Sequence, residues 1–273
     1  MRLVMFHRGS SRPDPFAGDD RPGEAFDALR SAFGAGLAPG DVERLERVHA
    51  YVREAYEGQR RRSGDPYVTH CIGVAVLLAH WGRPLDTVLA GLLHDVTDVV
   101  PDLQGAREVA GERPIEFVAA LPGVTSPGGV AMAASAPDNP FERDLLLVHL
   151  ADRLHNARTW QYLPPDRARL KAAQTAAAHA PAAIALGLPA VAGELLERSI
   201  AQLAVPWPGG STVTGARLFT RAVLLLPPRN RERYLVEWSA DLAHLQTRRE
   251  RLAFSAGLLH SALALRRYAA RGG

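Results

Sequence analysis

His70-Cys-Ile-Gly-Val-Ala-Val-Leu-Leu-Ala-His-Trp81, a short break at Gly82-Arg83, and Pro84-Leu-Asp-Thr-Val-Leu-Ala-Gly-Leu-Leu-His-Asp95 decide the fold class of this chain. Each stretch is apolar almost all the way round, so each reads as a helix buried at the centre of a helical assembly rather than lying on its surface. Upstream, Val42, Leu45, Val48, Val52 and Tyr56 recur at three- and four-residue steps, an amphipathic helix over 41–56 with Asp41 as its expected N-cap. Residues 57–65 are a polar loop, and Pro66 suits a first helical position.

Downstream, weaker helical patterns at 102–110 and 113–120 lead into a Gly/Ala/Ser/Pro-rich segment, 121–139, that reads as a loop. A long helix over 141–160 carries Leu145, Val148, His149, Asp152 and Asn156, and residues 166–203 give two or three more helices, broken near Pro181 and Gly187-Leu-Pro189. Strand-like alternation is scarce and no repeat is visible, so the class is all-α. Composition shifts divide the chain into a flexible arm at 1–22, a helical bundle at 23–204, a linker at 205–212 and a helical extension at 213–273.

The 273 residues are 47% hydrophobic, enough for a sizeable core. The net charge of +3 comes from Arg, because Lys171 is the only lysine, and this bias reads as base composition rather than as a clustered nucleic-acid footprint. A single cysteine, Cys71, excludes an intrachain disulfide and suits a reducing, cytoplasmic setting. Neither a signal-peptide core nor a membrane-spanning run is expected.

His94 and Asp95 end the second apolar helix, and His70 and Asp152 are the best-placed partners on other helices. Asp residues among leucines are costly unless they are paired or hold a metal. Two imidazoles with two carboxylates suit a borderline divalent cation such as Mn, Fe or Zn. Helical geometry points neighbours about 100° apart, so His94 and Asp95 reach one ion only beyond the helix end or between helices.

Three motifs in order, Arg61-Arg-Ser-Gly-Asp-Pro-Tyr-Val-Thr-His70, Leu92-Leu-His-Asp-Val96 and His149-Leu-Ala-Asp-Arg-Leu-His-Asn-Ala-Arg-Thr159, resemble the HD hydrolase domain of the RelA/SpoT alarmone family. Over roughly residues 40–200 the chain looks most like the small stand-alone alarmone hydrolases. The resemblance implies an HD-domain helical bundle in which His70, His94, Asp95 and Asp152 bind Mn2+, with another divalent transition metal as the alternative. It implies that Arg61 stacks near the guanine base, that Ser63 lies by the nucleotide, and that Asn156 and Thr159 line its ribose and base. The family removes the 3′-pyrophosphate of guanosine tetra- or pentaphosphate, and its acidic pair after the His-Asp helps activate water.

Here Asp98 stands for the first of those acids and Val99 for the second, Cys71 replaces a proline, and Ser126 replaces a lysine. Asp98 is therefore the expected catalytic carboxylate, and the missing one removes a general acid/base worth about 10²–10⁴ in rate. Two readings follow. One is a metal-dependent hydrolase acting on a guanine alarmone or another nucleotide. The alternative is a catalytically weakened module that binds a nucleotide and signals to a partner.

At the C-terminus, Tyr234, Leu235, Trp238, Leu242 and Leu245 share one helical face, followed by 14 uncharged residues between arginines. Residues 229–269 read as a packed hairpin, with an interfacial membrane helix or a partner-docking helix as alternatives.

Overall fold

The computed structural model describes residues 22–33, 36–134 and 138–203, the helix Arg248–Arg271, and isolated residues between 218 and 247. Among the described residues the structure is helical, with an isolated antiparallel bridge between Arg60 and Pro66 and no strand, in agreement with the all-α expectation. Most of the expected arm and all of the expected linker lie outside the described residues, as do most of the helices expected over 213–247.

The chain builds α1 (Pro22–Ala32), α2 (Pro39–Ala55), α3 (Tyr67–His80) and α4 (Leu85–Leu93) in succession. Every residue of α3 from Val68 to Ala79 is buried except Leu77, and every residue of α4 from Thr87 to Leu93 is buried, so the two apolar stretches are indeed central. They are separated by a sharp reversal. Gly82 takes φ +67, which closes α3 with the left-handed residue that favours glycine, and Pro84 precedes the first turn of α4. At the start of α2 the sequence reading differs: the helix begins at Pro39 and Asp41 lies in its first turn, where its charge still complements the helix dipole.

After α4 come α5 (Gln104–Ala110), α6 (Glu112–Ala120), α7 (Pro127–Ala134) and α8 (Pro140–Ala157). The segment 121–139 was expected to be a loop but contains a 3₁₀ turn, Leu121–Val124, and all of α7. Val130 and Ala133 of α7 are buried, so tertiary packing overrides a composition poor in large apolar residues. Helix α8 packs on both α3 and α4, and Asn139 caps it by accepting from the N–H groups of Phe141 and Glu142.

Then α9 (Pro165–Gln174) runs through a π-helical turn, Thr175–His179, into α10 (Ala180–Ala185), and α11 (Pro189–Leu203) follows. Pro181 does not break the path. It has no N–H to give Ala177, and the backbone widens just before it, the N–H of Ala180 bonding to Thr175. Arg158 at the end of α8 is held by Glu194 of α11 at 2.9 Å.

The buried apolar cluster of the bundle extends to Phe219, Trp238, Leu258 and Ala262, so parts of the C-terminal region are buried in the same core. Among the described residues no single helix is long and apolar enough to cross a membrane.

Candidate metal centre

Helix α4 stops at Leu93, His94 is its C-cap, and Asp95 leaves helical geometry with φ −102 and ψ 4. This unwinding resolves the difficulty of two adjacent ligands, because Asp95 Oδ2 folds back to 3.1 Å from His94 Nε2. His70, one turn into α3, brings its Nε2 to 3.1 Å from His94 Nε2 and 3.6 Å from Asp95 Oδ2. Asp152, on α8, places Oδ1 3.3 Å from His70 Nε2 and 3.5 Å from His94 Nε2. One donor atom each from His70, His94 and Asp95 lies within 4.8 Å of the others, and Asp152 closes a fourth side against both imidazoles.

These separations suit a shared cation. With metal–donor bonds of about 2.1 Å, neighbouring donors sit about 3.0 Å apart in an octahedron and about 3.4 Å apart in a tetrahedron. The tautomers also fit. His94 Nδ1–H donates to the carbonyl of Gly91 at 2.8 Å, which leaves the Nε2 lone pair facing the other donors. Arg61 has only donors and lies 3.2 Å from His155 Nδ1, so that nitrogen accepts. His70 Nδ1, 2.9 Å from the same atom, must then carry the proton and leave its own Nε2 free.

Electrostatics point the same way. Burial disfavours a charge on His94, but Asp95 and Asp152 outweigh it and hold its pKa well above the imidazole range. Burial would raise the pKa of both carboxyls, yet the imidazoles of His94 and His70 hold Asp95 and Asp152 well below the carboxylate range. The centre thus favours a positive charge between two carboxylates, the condition in which a bound cation displaces a proton.

Around the ligands the structure has two sides. On one, Tyr67 donates to Asp95 Oδ2 at 2.8 Å, Asn156 Nδ2 donates to Asp152 Oδ1, and Arg61 donates to Asn156 Oδ1. Arg61 and Asn156 are therefore joined to the ligand set, whereas Ser63 donates to Asp65 within its own loop and Thr159 to the carbonyl of Asn156 at the end of α8.

On the other side is a cavity of about 410 Å³ that reaches His94, Asp95 and Asp152. Asp98, in the 3₁₀ turn after Asp95, lines it. Val99 is partly buried against the apolar core. Ser126 accepts from the N–H of Gly129.

Three titratable cavity residues are not singled out by the sequence as site residues: His149 and Arg153 of α8 and Lys171 of α9. Arg153 follows a candidate ligand directly, and Lys171 is the chain's only lysine, the two signals that could have marked them. Burial, together with Arg153, lowers the pKa of His149 to about 4 and that of His179 to about 2, and their Nε2 atoms lie 3.1 Å apart.

One glycine shapes the centre. A Cβ on Gly73 would overlap the ring of His155, so the bare backbone of α3 is what lets that ring sit behind His70.

The HD domain family matches residues 49–139, which include His70, His94, Asp95 and Asp98. The bifunctional (p)ppGpp synthase/hydrolase SpoT of Escherichia coli K12 is 32% identical over 181 residues, 63% of this chain and 26% of that protein. The bifunctional (p)ppGpp synthase/hydrolase RelA of Mycobacterium tuberculosis is 35% identical over 172 residues, 60% of this chain and 23% of its own length. A probable GTP pyrophosphokinase of Mycobacterium leprae is 35% identical over 169 residues, 58% of this chain and 21% of that one. The chain spans about a quarter or less of these relatives. With the helical bundle and the His-Asp cluster in place, the chain carries an HD domain of the RelA/SpoT family.

Proposed function

We propose that this chain is a metal-dependent hydrolase of a phosphorylated nucleotide, with a guanosine tetra- or pentaphosphate as the first substrate to test. The observation that carries the reading is the convergence of His70 Nε2, His94 Nε2, Asp95 Oδ2 and Asp152 Oδ1, from three helical elements, beside a cavity that Asp98 lines. In this reading those four residues hold Mn2+ or a similar ion, the bundle at 23–204 is the hydrolase unit, and the compartment is the cytoplasm. Bound there, such an ion polarises a phosphoryl oxygen and acidifies water. Asp98 accepts the proton of the attacking water. Arg61 and Asn156 keep Asp152 aimed at the centre, and the face beyond them, with Ser63 and Thr159, takes the base and ribose.

The packing of Val99 favours a second reading. An apolar side chain held against the core cannot supply a second acid, so chemistry at this site rests on a single carboxylate in the cavity turn. A slow enzyme, or a nucleotide-binding module that signals through residues 229–269, then becomes the alternative. Incubating the Mn-loaded protein with guanosine tetraphosphate and measuring pyrophosphate separates the two. Turnover supports the first reading, and retained binding without turnover supports the second. Turnover gained in Val99→Asp would identify the missing carboxylate as the cause.

A further inference from the structure

We propose that Arg153 and Lys171 form an anion subsite on the cavity wall away from Arg61, taking a phosphate or pyrophosphate group of the substrate. The inference rests on the hydrolase reading above and adds to it the residues that hold the charged end of the substrate.

Arg153 carries a charge that the fold alone does not explain. Arg153 is 9% exposed, its Nε is buried without a hydrogen-bond partner, and among the described residues its guanidinium enters no ion pair. A buried guanidinium nitrogen without a hydrogen-bond partner is costly, even with the Asp152 charge nearby, and a ligand that completes it accounts for the cost. Lys171, on the neighbouring helix, lines the same cavity from a more exposed position. The two cations oppose each other: burial and then Arg153 lower the pKa of Lys171, with Asp152 acting against them. Two cations lining one cavity, with Gln174 and Thr125 also lining it, offer a planar fork, a mobile ammonium and neutral donors. That set fits a tetrahedral oxyanion.

On the opposite side of the centre Arg61 is already committed to Asn156 and His155. The unspent positive charge lies in the cavity, beside the donors that would hold the metal, which is where a phosphoryl group must come to react.

Because Lys171 is the only lysine, an amine reagent reports on this subsite alone apart from the chain terminus. The full-length protein, loaded with Mn2+ in excess, is labelled with and without inorganic pyrophosphate. Modification at Lys171 is read by peptide mass, and bound metal is measured in parallel. Protection of fivefold or more, lost in Arg153→Gln at equal metal content, supports the proposal. Unchanged labelling in the presence of pyrophosphate, with metal retained, overturns it.

Should Arg153→Gln fail to fold, Lys171→Gln decides: a pyrophosphate-induced rise in Tm that falls by half or more supports the subsite, and an undiminished rise overturns it. Failure of the underlying reading shows separately, as absent metal, and labelling of that metal-free protein still scores the subsite.

Discussion

The two sides of Asp152 differ in how their polar groups are employed. Toward Arg61, the groups around the ligands bond to one another: Arg61 to Asn156, Asn156 to Asp152, His70 to His155, Tyr67 to Asp95. Toward the cavity, Asp98, Arg153 and Lys171 line the space, and among the described residues none of them enters an ion pair. A closed network holds ligands still, whereas unspent charge beside a cavity is suited to a guest. Under the proposed function, the difference gives positioning to one wall and binding to the other.

The sharpest test of that division removes a ligand. His94→Ala is expected to lower Mn2+ affinity by more than about a hundredfold, read by metal content after dialysis, since second-layer changes alone reach that range. Wild-type affinity is expected to rise with pH, because His94 must give up its proton to the ion. An affinity flat between pH 6 and 8 would count against His94 as a ligand.

Next in size is the closed wall. Asn156→Ala frees Asp152 Oδ1 and unseats Arg61, and a loss of about 10- to 100-fold in metal affinity is expected. Tyr67→Phe removes one hydrogen bond to Asp95 and is expected to cost less than tenfold. The cavity wall provides the contrast: Gln174→Ala is expected to leave metal affinity within about twofold, as it touches none of the second-layer contacts. Equal losses on both walls would erase the distinction.

A last test reads acid stability rather than affinity, at His149 of the cavity wall and at His179 beside it. His149 and His179 are held below the ordinary imidazole pKa in the folded chain, to about 4 and about 2. The unfolded chain therefore binds protons first as pH falls. Stability is full above about pH 6.5 and declines below it, toward pH 4, by up to about 1.4 kcal/mol per pH unit for each group. Urea midpoints across that window should show a shallower decline for His179→Gln than for the wild type.

Much of this was legible from the chain. The apolar runs ending at Trp81 and Asp95 announced two central helices because burial on all faces leaves a composition with no polar stripe. His70, His94, Asp95 and Asp152 stood out because charge and imidazole within such runs call for a partner. Helix α7 escaped notice, since Gly128 and Gly129 argue against a helix and only packing on its neighbours restores it. Arg153 and Lys171 escaped for another reason: their meaning comes from sharing a cavity between α8 and α9, which no spacing within either helix reveals. Ser63 was legible as a polar loop residue, but its bond to Asp65 depends on the local turn.

Gly73 carries no functional group, yet the ring of His155 occupies the space that its side chain would fill. Transplanting this centre onto another helical scaffold would therefore mean copying an absence as well as four side chains. A designer who kept every donor but wrote alanine at that position would push His155 off His70 and lose the tautomer that frees Nε2. The site is specified in part by a hydrogen atom.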